Sequence, residues 1–321
     1  MVLLALLLHG PAAAQVGVRL ADAPAGTEQA FGTFLLEPFH RAFAVGPNGR
    51  VGVASAADSD ADAIGQALQH CGEGCRVIAV GDRLDDQPRP PPPPIALGPV
   101  RSDPDYPLRA PAAATGVVIW NHGSGPDPSQ IARYPDAWMR HLFADGWDIA
   151  VFDRSRAEDQ LTVGRDRLVE AIAHLRGHGY RRVVLAGHSR GAWLALLAAT
   201  TAELAPDAVI ALAPAIHGTN RPGNVRFQQA LPQWLELVAA LPPRVGLALV
   251  TFRADPFDPD PQARAAAAAS PRCHAFLLPE PPWSEGHGGG MDLGFARAFG
   301  PLITQFLRDT HAAHCGDRGQ R

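Results

Sequence analysis

The residues best suited to chemistry are a serine flanked by two glycines, in the pattern Gly187-x-Ser189-x-Gly191. An apolar run at 183–186 precedes the pattern and an Ala/Leu-rich run follows it, which predicts a buried strand and then a buried helix. Glycines two positions away on either side leave room for the sharp turn that must join them. Such a turn holds the serine hydroxyl at its tip, which suits a nucleophile. The alternative is a tight turn whose serine has no chemical role.

A serine nucleophile needs a base, and the chain has 13 histidines. We predict His287, because it lies in a Gly-rich segment after the last predicted strand, as the chain order serine, acid, histidine requires. His188 is next to the serine, but a residue just before the tip of a sharp turn is expected to point away from it. His311 and His314 are interpreted as parts of an exposed tail.

The acid should follow the predicted strand at 245–252, where an Asp/Pro-rich segment begins. Asp255 is the first choice, and Asp258 and Asp260 remain alternatives, since one carboxylate is enough to orient the imidazole.

A Gly-rich segment, Asn121-His122-Gly123-Ser124-Gly125, follows the predicted strand at 116–120. Glycine lets backbone N–H groups approach a developing oxyanion closely. We predict that Gly123 or Ser124 supplies one N–H group of an oxyanion hole and that Arg190, just after the nucleophile, supplies the other. A plain β-turn is the alternative interpretation.

Strand and helix patterns alternate from 98 to 315, which predicts a parallel sheet with helices on both faces. With the motifs around Gly123 and Ser189 and with Asp255 and His287, this part of the chain resembles α/β-hydrolases, especially dienelactone-hydrolase-like esterases and serine-peptidase-like relatives. The resemblance implies a doubly wound, mostly parallel sheet. It also implies hydrolysis of a small-molecule ester without metal or organic cofactor. The chain departs from dienelactone hydrolases proper, whose nucleophile is a cysteine.

Two other functions remain open. A serine peptidase or amidase would use the same scaffold, although such relatives place a larger propeller or cap before the hydrolase part. A non-catalytic binding protein would have no need of a serine, an acid, a histidine and a Gly-rich loop together.

Substrate specificity is poorly encoded in the sequence. Residues 214–243, which include Trp234, are the segment available as a cap. Arg154 and Arg156 either line the cleft or are surface charges.

Residues 16–87 are predicted to form a small α+β domain of ββαβ order, with strands at 42–45, 51–54 and 76–80 and a helix at 60–70. Ser59 or Asp60 is the expected N-cap of that helix.

This stretch resembles a small family of exported bacterial domains of unknown function. The resemblance lies in the strand at 42–45, Asn48-Gly49, Ala67-Leu68-x-x-Cys71 and Cys75-Arg76-Val77. It implies no activity. The domain is interpreted either as a module that binds an unknown partner, the cell wall or substrate, or as a stabilising appendage.

The remaining segments concern export and domain boundaries. Residues 1–14 are typical of a bacterial signal peptide, which predicts a secreted or periplasmic protein. Residues 88–97 are a Pro-rich linker. Four cysteines allow three pairings, of which we favour Cys71–Cys75 and Cys273–Cys315, because each pair lies within one predicted domain. Their uneven spacing does not match a structural zinc site.

Composition excludes several function classes. The net charge is −4 and all 28 basic residues other than histidine are arginine. There is thus no basic footprint for nucleic acid, and no lysine for a phosphate-binding loop or a Schiff base. No apolar run is long enough for a membrane span.

Overall fold

The computed structural model describes residues 20–37, 40–84, 86–88, 93–124, 135–201, 203–269 and 274–312, and the chain divides into two compact units near residue 89. The predicted signal peptide and the Cys273–Cys315 bridge lie outside the described residues, as does the middle of the linker.

The N-terminal unit contains a three-stranded antiparallel sheet in the order β2-β1-β3. Its elements are α1 (Glu28–Leu36), β1 (Ala42–Val45), β2 (Val51–Ala54), α2 (Asp60–Cys71) and β3 (Arg76–Val80). The predicted ββαβ order is therefore observed. The sequence analysis missed α1, whose Phe31 and Phe34 pack against Phe43 of β1.

Small residues let α2 lie close against this sheet. The helix begins at Ser59, whose hydroxyl accepts the N–H of Asp62 at 3.1 Å, as an N-cap does. A side chain at Gly52 of β2 would place its Cβ 2.1 Å from the Ala67 carbonyl oxygen, so the position requires glycine. Cys71, the last residue of α2, forms a disulfide with Cys75, whose sulfur is 2.03 Å away. This is the pairing expected within the unit.

The C-terminal unit is built on an eight-stranded sheet in the order β11-β10-β9-β8-β6-β7-β5-β4. Strands β6 to β11 are parallel, and the short β4 and β5 run antiparallel at one edge. The strands are β4 (Ala96–Leu97), β5 (Val100–Ser102), β6 (Gly116–Asn121), β7 (Trp147–Phe152), β8 (Val183–His188), β9 (Ala208–Leu212), β10 (Gly246–Thr251) and β11 (Ala275–Pro279). The predicted doubly wound, mostly parallel sheet is confirmed. The edge strands β4 and β5 were not predicted.

Helices cover both faces of this sheet. They are α3 (Met139–Ala144), α4 (Leu161–Gly177), α5 (Arg190–Thr201), α6 (Ala230–Ala240), α7 (Pro261–Ala269) and α8 (Leu293–Ala312). Alternate side chains of β11 show the two layers. Leu277 packs against the core cluster that contains α4, α5 and α6, whereas Phe276 contacts Phe299 and Phe306 of α8. Within the described ranges, none of the helices combines the length and the apolarity needed to cross a bilayer.

Two differences from the sequence predictions concern helices. The sequence analysis missed α7, because an alanine run has no apolar periodicity to detect. Residues 214–243 were the segment available as a cap, and within that segment α6 belongs to the helical layer. Trp234 of α6 is fully buried, and its indole N–H donates to the Arg264 carbonyl at 3.1 Å. The helix itself is therefore not free to act as a cap, because it packs against α5 and α7.

Candidate active site

Ser189 lies at the turn between β8 and α5, with a positive φ of 56° that few non-glycine residues adopt. Neither flanking glycine can be replaced, because a Cβ at either position would clash with backbone atoms. A Cβ at Gly191 would lie 2.1 Å from the Asn121 carbonyl oxygen, and a Cβ at Gly187 would lie 2.6 Å from the Gly191 carbonyl carbon. The serine N–H donates to the Leu212 carbonyl at 2.9 Å, which ties the turn to β9. The predicted sharp turn with the serine at its tip is what the backbone adopts.

The three residues predicted for acyl transfer come together at the carboxyl ends of the strands. His287 Nε2 is 2.7 Å from Ser189 Oγ. On the other side of the ring, Nδ1 is 2.9 Å from Asp255 Oδ2 and 3.0 Å from Oδ1. The Asp255 side chain is 1% exposed and that of His287 is 20% exposed. A buried carboxylate thus orients an imidazole that contacts the hydroxyl.

Backbone hydrogen bonds hold the two loops that supply these side chains. The N–H of Phe257 donates to Asp255 Oδ1 at 2.8 Å, which fixes the carboxylate just after β10. The N–H of Gly286 donates to the Arg253 carbonyl at 2.8 Å and joins the histidine loop to the acid loop. The Phe257 ring packs against the His287 ring, with centroids 4.2 Å apart.

The alternative acids have other partners. Asp258 forms a buried ion pair with Arg264 at 3.1 Å, and Arg264 Nη2 also donates to the Pro214 carbonyl at 2.7 Å. Asp260 Oδ1 accepts the N–H of Ala263 at 2.9 Å in the first turn of α7. Of the three candidates, Asp255 is therefore the carboxylate that contacts His287.

His188 contacts the histidine loop. Its Nε2–H donates to the His287 carbonyl at 2.6 Å, and the two imidazole rings lie 5.0 Å apart. Burial, with a smaller contribution from the nearby His287, lowers the pKa of His188 to about 4, so this ring is neutral at physiological pH. The contact with the His287 carbonyl was not predictable from the position of His188 before the turn.

The described part of the Gly-rich segment after β6, residues 122–124, lies against the nucleophile. A Cβ at Gly123 would be 3.3 Å from Ser189 Cβ, so the backbone reaches the serine closely. Arg190 is the first residue of α5, where a backbone N–H has no intrahelical acceptor. The hydroxyl of Ser124 is turned to the Asp159 carboxylate, at 2.8 Å. The predicted oxyanion residues are thus on the two chain segments that meet at Ser189.

The two arginines that follow β7 differ in burial. Arg154 is buried beneath the Gly-rich segment, whereas Arg156 is exposed. Asp159, which contacts Arg154, Arg190 and Ser124, was missed by the sequence analysis. Its partners lie 5, 31 and 35 residues away, so no local pattern indicates them.

Over the parts of the chain that the structure describes, no group of three or more His, Cys, Asp or Glu side chains is arranged to hold a metal ion.

The strand order, the turn between β8 and α5 that carries Ser189, and the acid and histidine after β10 and β11 define an α/β-hydrolase fold. No protein-family model matches the chain, and a search of curated proteins found no match.

Among solved structures, the chain is similar to the Pyrococcus furiosus esterase Pf2001, with 14% identity and a TM-score of 0.46 over 62% of this chain and 84% of the esterase. It is similar to Est1E from Butyrivibrio proteoclasticus, with 14% identity and a TM-score of 0.47 over 62% of this chain and 90% of the other. It is also similar to Porphyromonas gingivalis dipeptidyl peptidase 4, with 16% identity and a TM-score of 0.44 over 67% of this chain and 33% of the peptidase.

Proposed function

We propose that this chain, which has the α/β-hydrolase fold, is a serine hydrolase that cleaves small carboxylic esters through an acyl-enzyme intermediate. Ser189 is the nucleophile, His287 the general base and acid, and Asp255 the carboxylate that orients it. The observation that carries the proposal is the continuous contact from Ser189 Oγ to His287 Nε2 at 2.7 Å and from His287 Nδ1 to Asp255 at 2.9 Å. Both distances are within hydrogen-bond reach. The first allows proton transfer from the hydroxyl to the imidazole, and the second lets the carboxylate orient the ring.

In the first half of the reaction, His287 Nε2 takes the proton of Ser189 as Oγ attacks the ester carbonyl carbon. The Asp255 carboxylate accepts Nδ1–H and stabilises the imidazolium. The backbone N–H groups of Arg190 and of Gly123 or Ser124 hold the tetrahedral oxyanion.

The C–O bond to the alcohol then breaks, and the imidazolium gives its proton to the departing oxygen. In the second half, His287 deprotonates a water molecule that attacks the acyl-enzyme. Collapse of the second tetrahedral species releases the acid and returns the proton to Ser189.

Esters are the proposed substrates because an alcohol leaves once His287 protonates it, whereas a peptidase also needs subsites that hold a peptide across the scissile bond. Within the described segment between β9 and β10, α6 belongs to the helical layer, which leaves residues 213–229 of that segment available to cover the site. Amide hydrolysis is the alternative outcome of the test below.

The test is hydrolysis of p-nitrophenyl esters from acetate to octanoate, beside the matching p-nitroanilides, by the wild type, Ser189→Ala and Thr201→Ala. Thr201 is exposed at the end of α5 and serves as the control for removal of a hydroxyl. A fluorophosphonate probe reports in parallel whether Ser189 is activated. The proposal expects ester turnover and labelling by the wild type and the control, and neither by Ser189→Ala.

Other outcomes contradict the proposal in distinct ways. Turnover of anilides without esters would indicate an amidase or peptidase. A wild type that neither turns over any substrate nor reacts with the probe would indicate a binding protein.

We also propose that the chain is exported, with residues 16–87 as a separate module that binds an unknown partner. The disulfide between Cys71 and Cys75 supports export, because such bonds persist in oxidising compartments. Expression with the native leader, followed by cell fractionation and thiol alkylation, tests this. Retention in the cytoplasm with both thiols free would contradict it.

A further inference from the structure

A buried arginine lies behind the Gly-rich segment at the active site. Arg154 follows β7, whose last residue, Phe152, is paired with Asn121 at the end of β6. Because β6 and β7 are parallel neighbours, the residues just beyond their ends are brought together at one edge of the sheet. The Arg154 side chain is 0% exposed, so it does not line an open cleft.

This guanidinium binds two consecutive backbone carbonyls. Arg154 Nη2 donates to the His122 carbonyl at 2.7 Å and to the Gly123 carbonyl at 3.3 Å. Its Nε donates to Asp159 Oδ1 at 3.3 Å. Burial lowers the pKa of Arg154 to about 10, against the opposing effect of Asp159, so the guanidinium is charged at neutral pH.

The two carbonyls determine where the neighbouring N–H groups point. A peptide bond is planar and trans, so its C=O and its N–H point in opposite directions. When Arg154 holds the His122 carbonyl, it directs the N–H of Gly123 away from the guanidinium. The bond to the Gly123 carbonyl does the same for the N–H of Ser124. In the proposed mechanism one of these two N–H groups, together with that of Arg190, holds the oxyanion.

Asp159 connects this segment to the residue that follows the nucleophile. Its carboxylate accepts from Ser124 Oγ at 2.8 Å and pairs with Arg190 Nε at 3.2 Å. Its backbone carbonyl also accepts from Arg190 Nε at 2.9 Å. One residue thus contacts both chain segments that carry oxyanion donors.

We propose that Arg154 is a positioning residue that sets the direction of the Gly123 and Ser124 N–H groups, and that Asp159 holds this segment in register with Arg190. The proposal rests on the serine-hydrolase function proposed above. Burying a charged group is costly unless it is well paired, and a preorganised oxyanion hole is a function that such a group can serve.

The test compares Arg154→Met with the wild type and with Arg165→Met, a control on α4 whose arginine pairs only locally with Asp166. Four quantities are measured with the best p-nitrophenyl ester as substrate: kcat, KM, the inhibition constant of a trifluoromethyl ketone and that of a planar ketone of the same shape. The first inhibitor forms a tetrahedral oxyanion on the serine, and the second resembles the ground state.

For Arg154→Met we expect kcat to fall about 100-fold, the scale of losing one oxyanion donor, with KM within about 3-fold of the wild type. The trifluoromethyl ketone should bind about 100-fold more weakly and the planar ketone unchanged. Arg165→Met should match the wild type. A merely structural role would lower the amount of active enzyme, as counted by probe labelling, without this split between inhibitors.

Asp159→Asn is the second variant, in case Arg154→Met does not fold. The Asp159 side chain is 36% exposed, so the amide is tolerated. We expect the trifluoromethyl ketone to bind about 10-fold more weakly and the planar ketone to bind as it does to the wild type. The effect is smaller than for Arg154→Met because asparagine keeps the shape of the side chain and loses only its charge.

An unchanged ratio of the two inhibition constants in both variants would overturn the proposal while the serine-hydrolase function stands. A wild type without esterase activity or probe labelling would instead overturn both.

Discussion

The two flanks of Ser189 are built in opposite ways. On the acid–base flank, formed by Asp255 and His287, side chains carry the proposed chemistry and backbone hydrogen bonds fix their loops. On the oxyanion flank, formed by residues 122–124, Arg154, Asp159 and Arg190, backbone N–H groups carry the proposed chemistry, and charged side chains contact the backbone that presents them. A substitution on the first flank therefore removes a reacting group, whereas one on the second misdirects groups that remain present.

The largest effect is expected from His287→Ala. Loss of the base should lower kcat by about 10⁶-fold, because Ser189 is then no longer deprotonated as it attacks. Circular dichroism and the thermal midpoint should stay near the wild type, since the side chain lies in a surface loop. His178→Ala, at the exposed end of α4, is the matched control and should keep full activity. Retention of more than about a hundredth of wild-type kcat by His287→Ala would contradict the assignment of the base, given the usual scale of losing this group.

Asp255→Asn should lower kcat by about 10⁴-fold, because the amide does not hold the imidazole in the tautomer that accepts the serine proton. Asp258→Asn is the informative comparison, three residues away in the same loop. The Asp258→Asn variant should keep a kcat near that of the wild type. Its free energy of unfolding should fall by about 3 kcal/mol, because Arg264 is left charged and buried without its partner. Urea unfolding and kcat measured on both variants separate the two roles. The reverse pattern would move the acid to Asp258.

His188 contacts both flanks, and its substitution tests whether they are independent. Its imidazole donates to the His287 carbonyl, and Gly123 lies beside its Nδ1, where a Cβ would be 3.3 Å away. We expect His188→Ala to lower kcat by about 10-fold with little change in KM, because the base loop loses one buried hydrogen bond. In the double variant Arg154→Met/His188→Ala, the fold-decrease in kcat is compared with the product of the two single fold-decreases. If the flanks are coupled, the two values should differ. A simple product would show that the flanks act independently.

The smallest effect on turnover is expected from Asp136→Asn, a change beneath the histidine loop. Asp136 is buried, receives the Trp138 indole N–H at 3.3 Å and lies near Gly290, and burial raises its pKa to about 8. Between pH 3.8 and about 8 the Asp136 carboxyl group keeps its proton in the folded state but loses it in the unfolded state. The free energy of unfolding therefore falls as the pH rises through this range. Asparagine removes the ionisation.

The variant should therefore be more stable than the wild type at pH 7, by at least about 1 kcal/mol, and equal to it near pH 4. Urea unfolding at both pH values measures the difference, and kcat should stay unchanged. A difference in stability that is the same at both pH values would contradict the pKa argument.

Much of the fold and of the acid–base flank could be predicted from residue patterns. β7 and β9 follow their apolar runs, and Gly187 is needed because a Cβ there would meet backbone atoms only four residues further along the chain. Gly191, in contrast, is needed because the distant Asn121 carbonyl lies against it. His287 was identifiable because chain order restricts where a histidine can reach a serine after β8. Patterns could not reveal α1, α7 or the edge strands, because their apolar periodicity is short or absent.

The sequence by itself determined the sharp turn at Ser189, the order of the strands along the chain and the residue types of the acid–base flank. Only the tertiary structure decided which carboxylate contacts the histidine, since Arg264 of α7 pairs with Asp258 and leaves Asp255 to His287. It also decided that Arg154 is buried and that Asp159 joins two distant segments. The physical reason is the separation along the chain over which each kind of interaction acts. Backbone sterics act between neighbours in sequence, whereas an ion pair forms between whichever charged groups the folded chain brings within a few ångströms.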